Sequence, residues 1–103
     1  MSDARLARVR QIVADVLTEI FGSEARFGPI YMSSDMDFDG MEYAMAHAVF
    51  EAPDDHLDVQ KRLAVFEPLN DRVREIGETA VPVLAYIRKS DEAEWLGNRT
   101  QFD

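Results

Sequence analysis

Residues 30–50 read IYMSSDMDFDGMEYAMAHAVF, a stretch that reads as two strands joined by a tight turn. Ile30, Met32, Met36 and Phe38 alternate with Tyr31, Ser33, Asp35, Asp37 and Asp39, and a period of two marks a strand with one wet side. Asp39-Gly40 supplies the residue types of a two-residue type I′ hairpin turn. Such a turn sets Phe38 opposite Met41, Met36 opposite Tyr43, Met32 opposite His47 and Ile30 opposite Val49. The face bearing those residues, with Met45, is expected to meet the core. The opposite face carries Tyr31, Ser33, Asp35 and Asp37 beside Glu42, Ala44, Ala46, Ala48 and Phe50, acidic near the turn and apolar beyond it.

Outward from the hairpin, the flanking segments turn helical. Leu6, Val9, Val13, Val16, Leu17 and Ile20 recur at helical spacing between a cap at Ser2 or Asp3 and a stop at Gly22, so a helix is predicted over residues 3–21. Arg5, Arg8 and Arg10 stand in its first half, where the helix dipole disfavours cations, which hints that acids elsewhere in the fold hold them. After Pro53-Asp54-Asp55, the apolar positions Val59, Leu63, Phe66, Leu69, Val73 and Ile76 keep helical spacing up to Gly77. Pro68 interrupts that run and is expected to kink the helix or start a new one near Glu67. Residues 80–89, AVPVLAYIRK, are rich in β-branched and aromatic types and read as a third strand.

The order α-β-β-α-β defines an α+β fold. The expected architecture is a two-layer sandwich, with a three-stranded antiparallel sheet covered on one face by two helices and strand three beside strand one. The chain reads as one compact domain over 1–103, with 90–103 a C-terminal tail. Three Ala, a Tyr and a Phe on an outer sheet face are seldom left in water, so either a second subunit or the tail with Trp95, Leu96 and Phe102 is expected to cover them.

Composition narrows the function classes. The 103 residues include 47% apolar types, too many for a disordered acidic chain, and no Cys, which removes disulfides, thiolate metal sites and cysteine nucleophiles. In residues 1–30 the apolar positions that follow Arg5, Arg8 and Arg10 are interrupted by Asp15 and Glu19, leaving no secretory apolar core, and a cytoplasmic location is expected. The net charge of −9 falls almost wholly in residues 27–60, which hold Asp35, Asp37, Asp39, Glu42, Glu51, Asp54, Asp55 and Asp58 with no Lys or Arg. A field of that sign repels phosphate backbones and attracts cations or basic protein surfaces.

The motif Asp35-Met36-Asp37-Phe38-Asp39-Gly40 resembles the opening of an EF-hand calcium loop, in which three side-chain oxygens converge and a Gly permits the turn. The resemblance implies calcium ligation by Asp35, Asp37 and Asp39, with Glu42 able to add an oxygen across the hairpin. It covers six residues, and Ala46 stands where the loop's bidentate Glu belongs. The element order is also similar to that of ribosome-binding factor A and other compact RNA-binding folds, which implies a ribosome- or RNA-associated factor. This chain, however, carries neither their basic surface nor a GxxG loop. Ser33 or Ser34 with His47 and Asp35 lacks the elbow and oxyanion loop of a catalytic triad, and no enzymatic role is expected.

The reading that best fits the charge segregation is a non-enzymatic protein-binding domain that covers a basic partner, as an antitoxin, immunity protein or inhibitor does. Its expected contact surface is the acidic ridge Asp35, Asp37, Asp39 and Glu42 with the strip Tyr31, Ala44, Ala46, Ala48 and Phe50. The same outer face would equally serve a homodimer. No resident cofactor is expected, a calcium ion being the alternative.

Overall fold

The computed structural model of the chain describes residues 1–101, with side chains through Asn98. It is an α+β fold in the order α1 (Asp3–Phe21), β1 (Arg26–Met36), β2 (Glu42–Glu51), α2 (Val59–Ala64), α3 (Phe66–Glu75), β3 (Val81–Arg88) and α4 (Glu92–Gln101). Helix α1 starts where predicted, because the Ser2 Oγ accepts a hydrogen bond from the Arg5 amide at 3.2 Å, and Gly22 ends it. Val9, Val13, Val16, Leu17 and Phe21 form its buried stripe.

The three strands form one sheet in the order β1-β2-β3, with β1 and β2 antiparallel and β2 and β3 parallel. The sheet is therefore mixed, and strand three lies beside strand two instead of beside strand one. The reason is the connection. Residues 52–80 carry the chain through α2 and α3 back to the starting end of β2, and a helical crossover of this kind is what a parallel neighbour requires.

The hairpin forms, but one residue out of the expected register. The Asp37 amide donates to the Met41 carbonyl at 3.0 Å and the Gly40 amide to the Asp37 carbonyl at 3.1 Å. Gly40 has φ +78°. The loop is thus three residues, Phe38 to Gly40, with glycine in the left-handed position that follows the turn. One additional loop residue sets Met36 opposite Glu42, Asp35 opposite Tyr43 and Ile30 opposite Ala48. A slip of one exchanges the faces on which cross-strand partners meet.

The alanine strip consequently lies inside. Ala44, Ala46, Ala48 and Phe50 are at most 6% exposed and belong to one core with Val9, Val13, Val16 and Leu17 of α1 and Leu69 and Val73 of α3. Ile30, Met32, Leu84 and Tyr86 pack against the edge of this core. Three methyl side chains on the middle strand leave room for α1 to approach the sheet closely. Tyr43, Met45 and His47, expected inside, instead share the outer face with Tyr31, Ser33 and Asp35, and Val49, on that same side of β2, is nonetheless fully buried as expected.

Pro68 falls in the first turn of α3, where a missing N–H breaks no helical hydrogen bond, and the helix divides at Val65. The predicted stripe divides with it. Val65, Leu69 and Val73 are buried, whereas Val59, Leu63, Phe66 and Ile76 are exposed. The tail forms α4 and folds back over one end of the outer face, where the Trp95 ring lies 5.0 Å from Tyr31 and 4.7 Å from His47. The Tyr31 hydroxyl donates to Glu92 at 2.6 Å. Phe102 lies outside the described residues. Among the described residues no helix is long and apolar enough to cross a membrane.

Candidate interaction surface

The acidic ridge separates into residues with different work. Asp37 is committed to the turn, its Oδ1 accepting from the Asp39 and Met41 amides at 2.9 Å each. Asp35 accepts from the neighbouring Met36 amide at 2.8 Å, and Asp39 projects at the exposed tip. The described residues contain no group of three or more His, Cys, Asp or Glu arranged to hold a metal ion, so Asp35, Asp37 and Asp39 are not gathered as the loop resemblance implied. Asp35 is the last of the three inside β1, Asp37 turns its Oδ1 back onto the loop amides, and Asp39 stands in the loop itself, so the strand's period of two does not carry through the three.

Glu42 leaves the ridge. Arg5 on α1 donates from Nη2 to Glu42 at 2.9 Å and from Nε to Glu78 at 2.7 Å. Gly77, at φ +77°, turns the chain off α3, and the Glu78 amide donates back to the Val73 carbonyl at 3.2 Å. That turn aims the Glu78 carboxylate at Arg5 and at the Ala80 amide, 3.0 Å away. Glu78 is buried, and the Arg5 hydrogen bond, helped by the backbone donors, holds its carboxyl down at about 2 against the desolvation that opposes it. Arg5 is raised in turn, first by the same bond. The sequence hint that an acid holds an early arginine is met by Arg5, while no sequence pattern singles out Glu78, the partner that matters most.

Of the predicted apolar strip, Ala44, Ala46, Ala48 and Phe50 are core residues and present nothing to a partner, while Tyr31 packs under Trp95. The surface that stands open is the other half of the outer face. Tyr43, Met45, Val81 and Val83, together with Met41, Asp37 and Glu42, line a hollow of about 440 Å³. Val81 and Val83 enter it because β3 pairs parallel to β2, setting Val81 beside Tyr43 and Val83 beside Met45. Met41, which lines the hollow, and Phe38, fully exposed, carry the apolar surface to the hairpin tip, while Met36, paired with Glu42, is exposed on the opposite face. Asp35, directly across from Tyr43, and Asp39 flank it with carboxylates. Sequence reasoning named the acids and missed Val81 and Val83, because Val81-Pro82-Val83-Leu84 is apolar throughout and shows no alternation that would set one face apart.

No family model, no curated protein and no solved structure matches the chain.

Proposed function

We propose that the domain is a protein-binding module that docks a basic partner on the open half of its outer sheet face. The observation that carries this reading is the apolar surface of Met41, Val81 and Val83, all exposed and lining one hollow with Tyr43 and Met45, at the end of the sheet where Phe38 stands exposed and Asp35 and Asp39 supply carboxylates. Contiguous apolar surface of this kind, rimmed by polar groups, marks interaction sites. The apolar side chains supply the desolvated centre and the carboxylates steer a positive partner toward it. Charge favours a basic partner over a second copy. A two-fold contact through this face would bring two acidic rims together, and residues 27–60 offer no Lys or Arg to answer them.

The test uses a defined probe, an extended peptide of alternating Lys and Leu, titrated into isotopically labelled protein at low salt. Amide signals of Tyr43, Met45, Val81 and Val83 are expected to shift, the Val83→Glu variant to weaken binding about tenfold or more, and added salt to slow association. An acidic peptide of the same pattern is expected to leave the spectrum unchanged. Absence of any shift, shifts spread over the whole surface, or concentration-dependent dimerisation through Val83 would overturn the reading.

A further inference from the structure

At the opposite end of β3, on the helix-covered side, lies a second hollow of about 250 Å³, open to solvent. Its floor is Phe50 and Leu57, both buried. Arg62 of α2, Tyr86 and Arg88 of β3, and His56 of the preceding loop converge on it, with the Asp55 carboxylate also at its wall. Arg62 Nε and the Tyr86 hydroxyl are both buried, and neither makes a hydrogen bond within the protein. The acids of this chain outnumber its bases 20 to 11, and Arg5, Lys61, Arg72, Arg74, Arg88 and Lys89 each hold a carboxylate. Arg62, half-buried, forms no ion pair among the described residues.

The chemistry of the two atoms restricts what satisfies them. A guanidinium Nε–H only donates, and a phenol donates readily. Burial pushes the Tyr86 hydroxyl up to about 12 despite the opposing field of Arg62, so it keeps its proton. One group serving both must accept two hydrogen bonds, and beside a cation the strongest acceptor is an oxyanion. The loop that delivers His56 runs through two consecutive left-handed residues, Asp54 at φ +58° and Asp55 at φ +53°. Conformations of that kind concentrate at ligand sites. The hollow is below the size of most drug-like sites and suits a small group.

We infer that this hollow binds a small oxyanion, a phosphate or carboxylate group, through the Arg62 guanidinium and the Tyr86 hydroxyl, with Arg88 and His56 at the rim. The site is independent of the docking face, which lies on the other side of the sheet at the Val81 end.

The probes are inorganic phosphate and succinate, each compared with sodium chloride at equal ionic strength. Thermal melts are expected to rise with one of the two anions beyond the chloride control, and which one responds assigns the source. The Arg62 side-chain Nε–H signal in a nitrogen-correlated spectrum is expected to move in step with that anion. Arg62→Met is expected to weaken binding about tenfold or more, and Tyr86→Phe, which keeps the ring and its packing, about threefold to tenfold. An unmoved Nε signal with melts that follow chloride alone would overturn the inference, as would equal affinity in the wild type and Tyr86→Phe. The Nε measurement is made on the unaltered protein, so it decides the matter even where a variant fails to fold.

Discussion

Arg5 and Glu78 stand 73 residues apart in the chain and meet through two hydrogen bonds, one of 2.7 Å. The folded carboxyl of Glu78 ionises near 2, below its ordinary value of 4.5. Its stabilising effect is therefore complete above about 4.5 and lost as the pH falls from there through 2. Glu78→Gln is expected to cost about 2 kcal/mol at neutral pH, less than a fully sealed ion pair because Arg5 is partly open to solvent. It is also expected to flatten the acid limb of stability, both read from urea unfolding at a series of pH values. A curve that drops between pH 4.5 and 2 as steeply in the variant as in the wild type would contradict the assignment. The misplaced cation in the first turns of α1 was legible in the sequence as a local oddity. Its partner was not, since no local pattern connects residue 5 with residue 78.

At the scale of elements, α1 was legible to its last residue because stripe, cap and stop all agreed. The hairpin was legible as a hairpin, whereas its register hung on whether the loop held two residues or three. Asp-Gly is compatible with both, since each places glycine at a positive φ. The outcome decides which face of β2 is packed, so Ala46→Leu discriminates. On the packed face it is expected to cost about 2 kcal/mol by overfilling the space between α1 and the sheet, seen as a lowered melting temperature. On an open face the same change would fall within about 0.5 kcal/mol. Helix α4 was the least legible element. Its sequence, EAEWLGNRTQ, shows no sustained apolar stripe, and it meets the outer face through the Trp95 ring on Tyr31 and His47 and through the Tyr31–Glu92 hydrogen bond.

For the molecule as a whole, the mixed sheet supplies what the letters withheld. Turning strand three around to run parallel to strand two brings Val81 and Val83 beside Tyr43 and Met45, and that juxtaposition makes an apolar surface of positions scattered in the chain. The same parallel pairing separates the sheet into two kinetic halves. The hairpin begins with Met36 and Glu42, close neighbours in sequence, and zips pair by pair from its turn. In the β2–β3 ladder every residue waits for one 38 positions later, Tyr43 for Val81 and Phe50 for Arg88, so its first contact carries the loop-closure cost of the whole crossover. Refolding is expected to show high φ-values for hairpin substitutions such as Ala48→Gly and low ones for Ile87→Val, measured from chevron plots. Comparable values in both strands would contradict this order. Until β3 docks, the middle strand of the finished sheet is an edge strand, with a row of unsatisfied amides and carbonyls open to any other chain, so refolding yield is expected to fall as protein concentration rises.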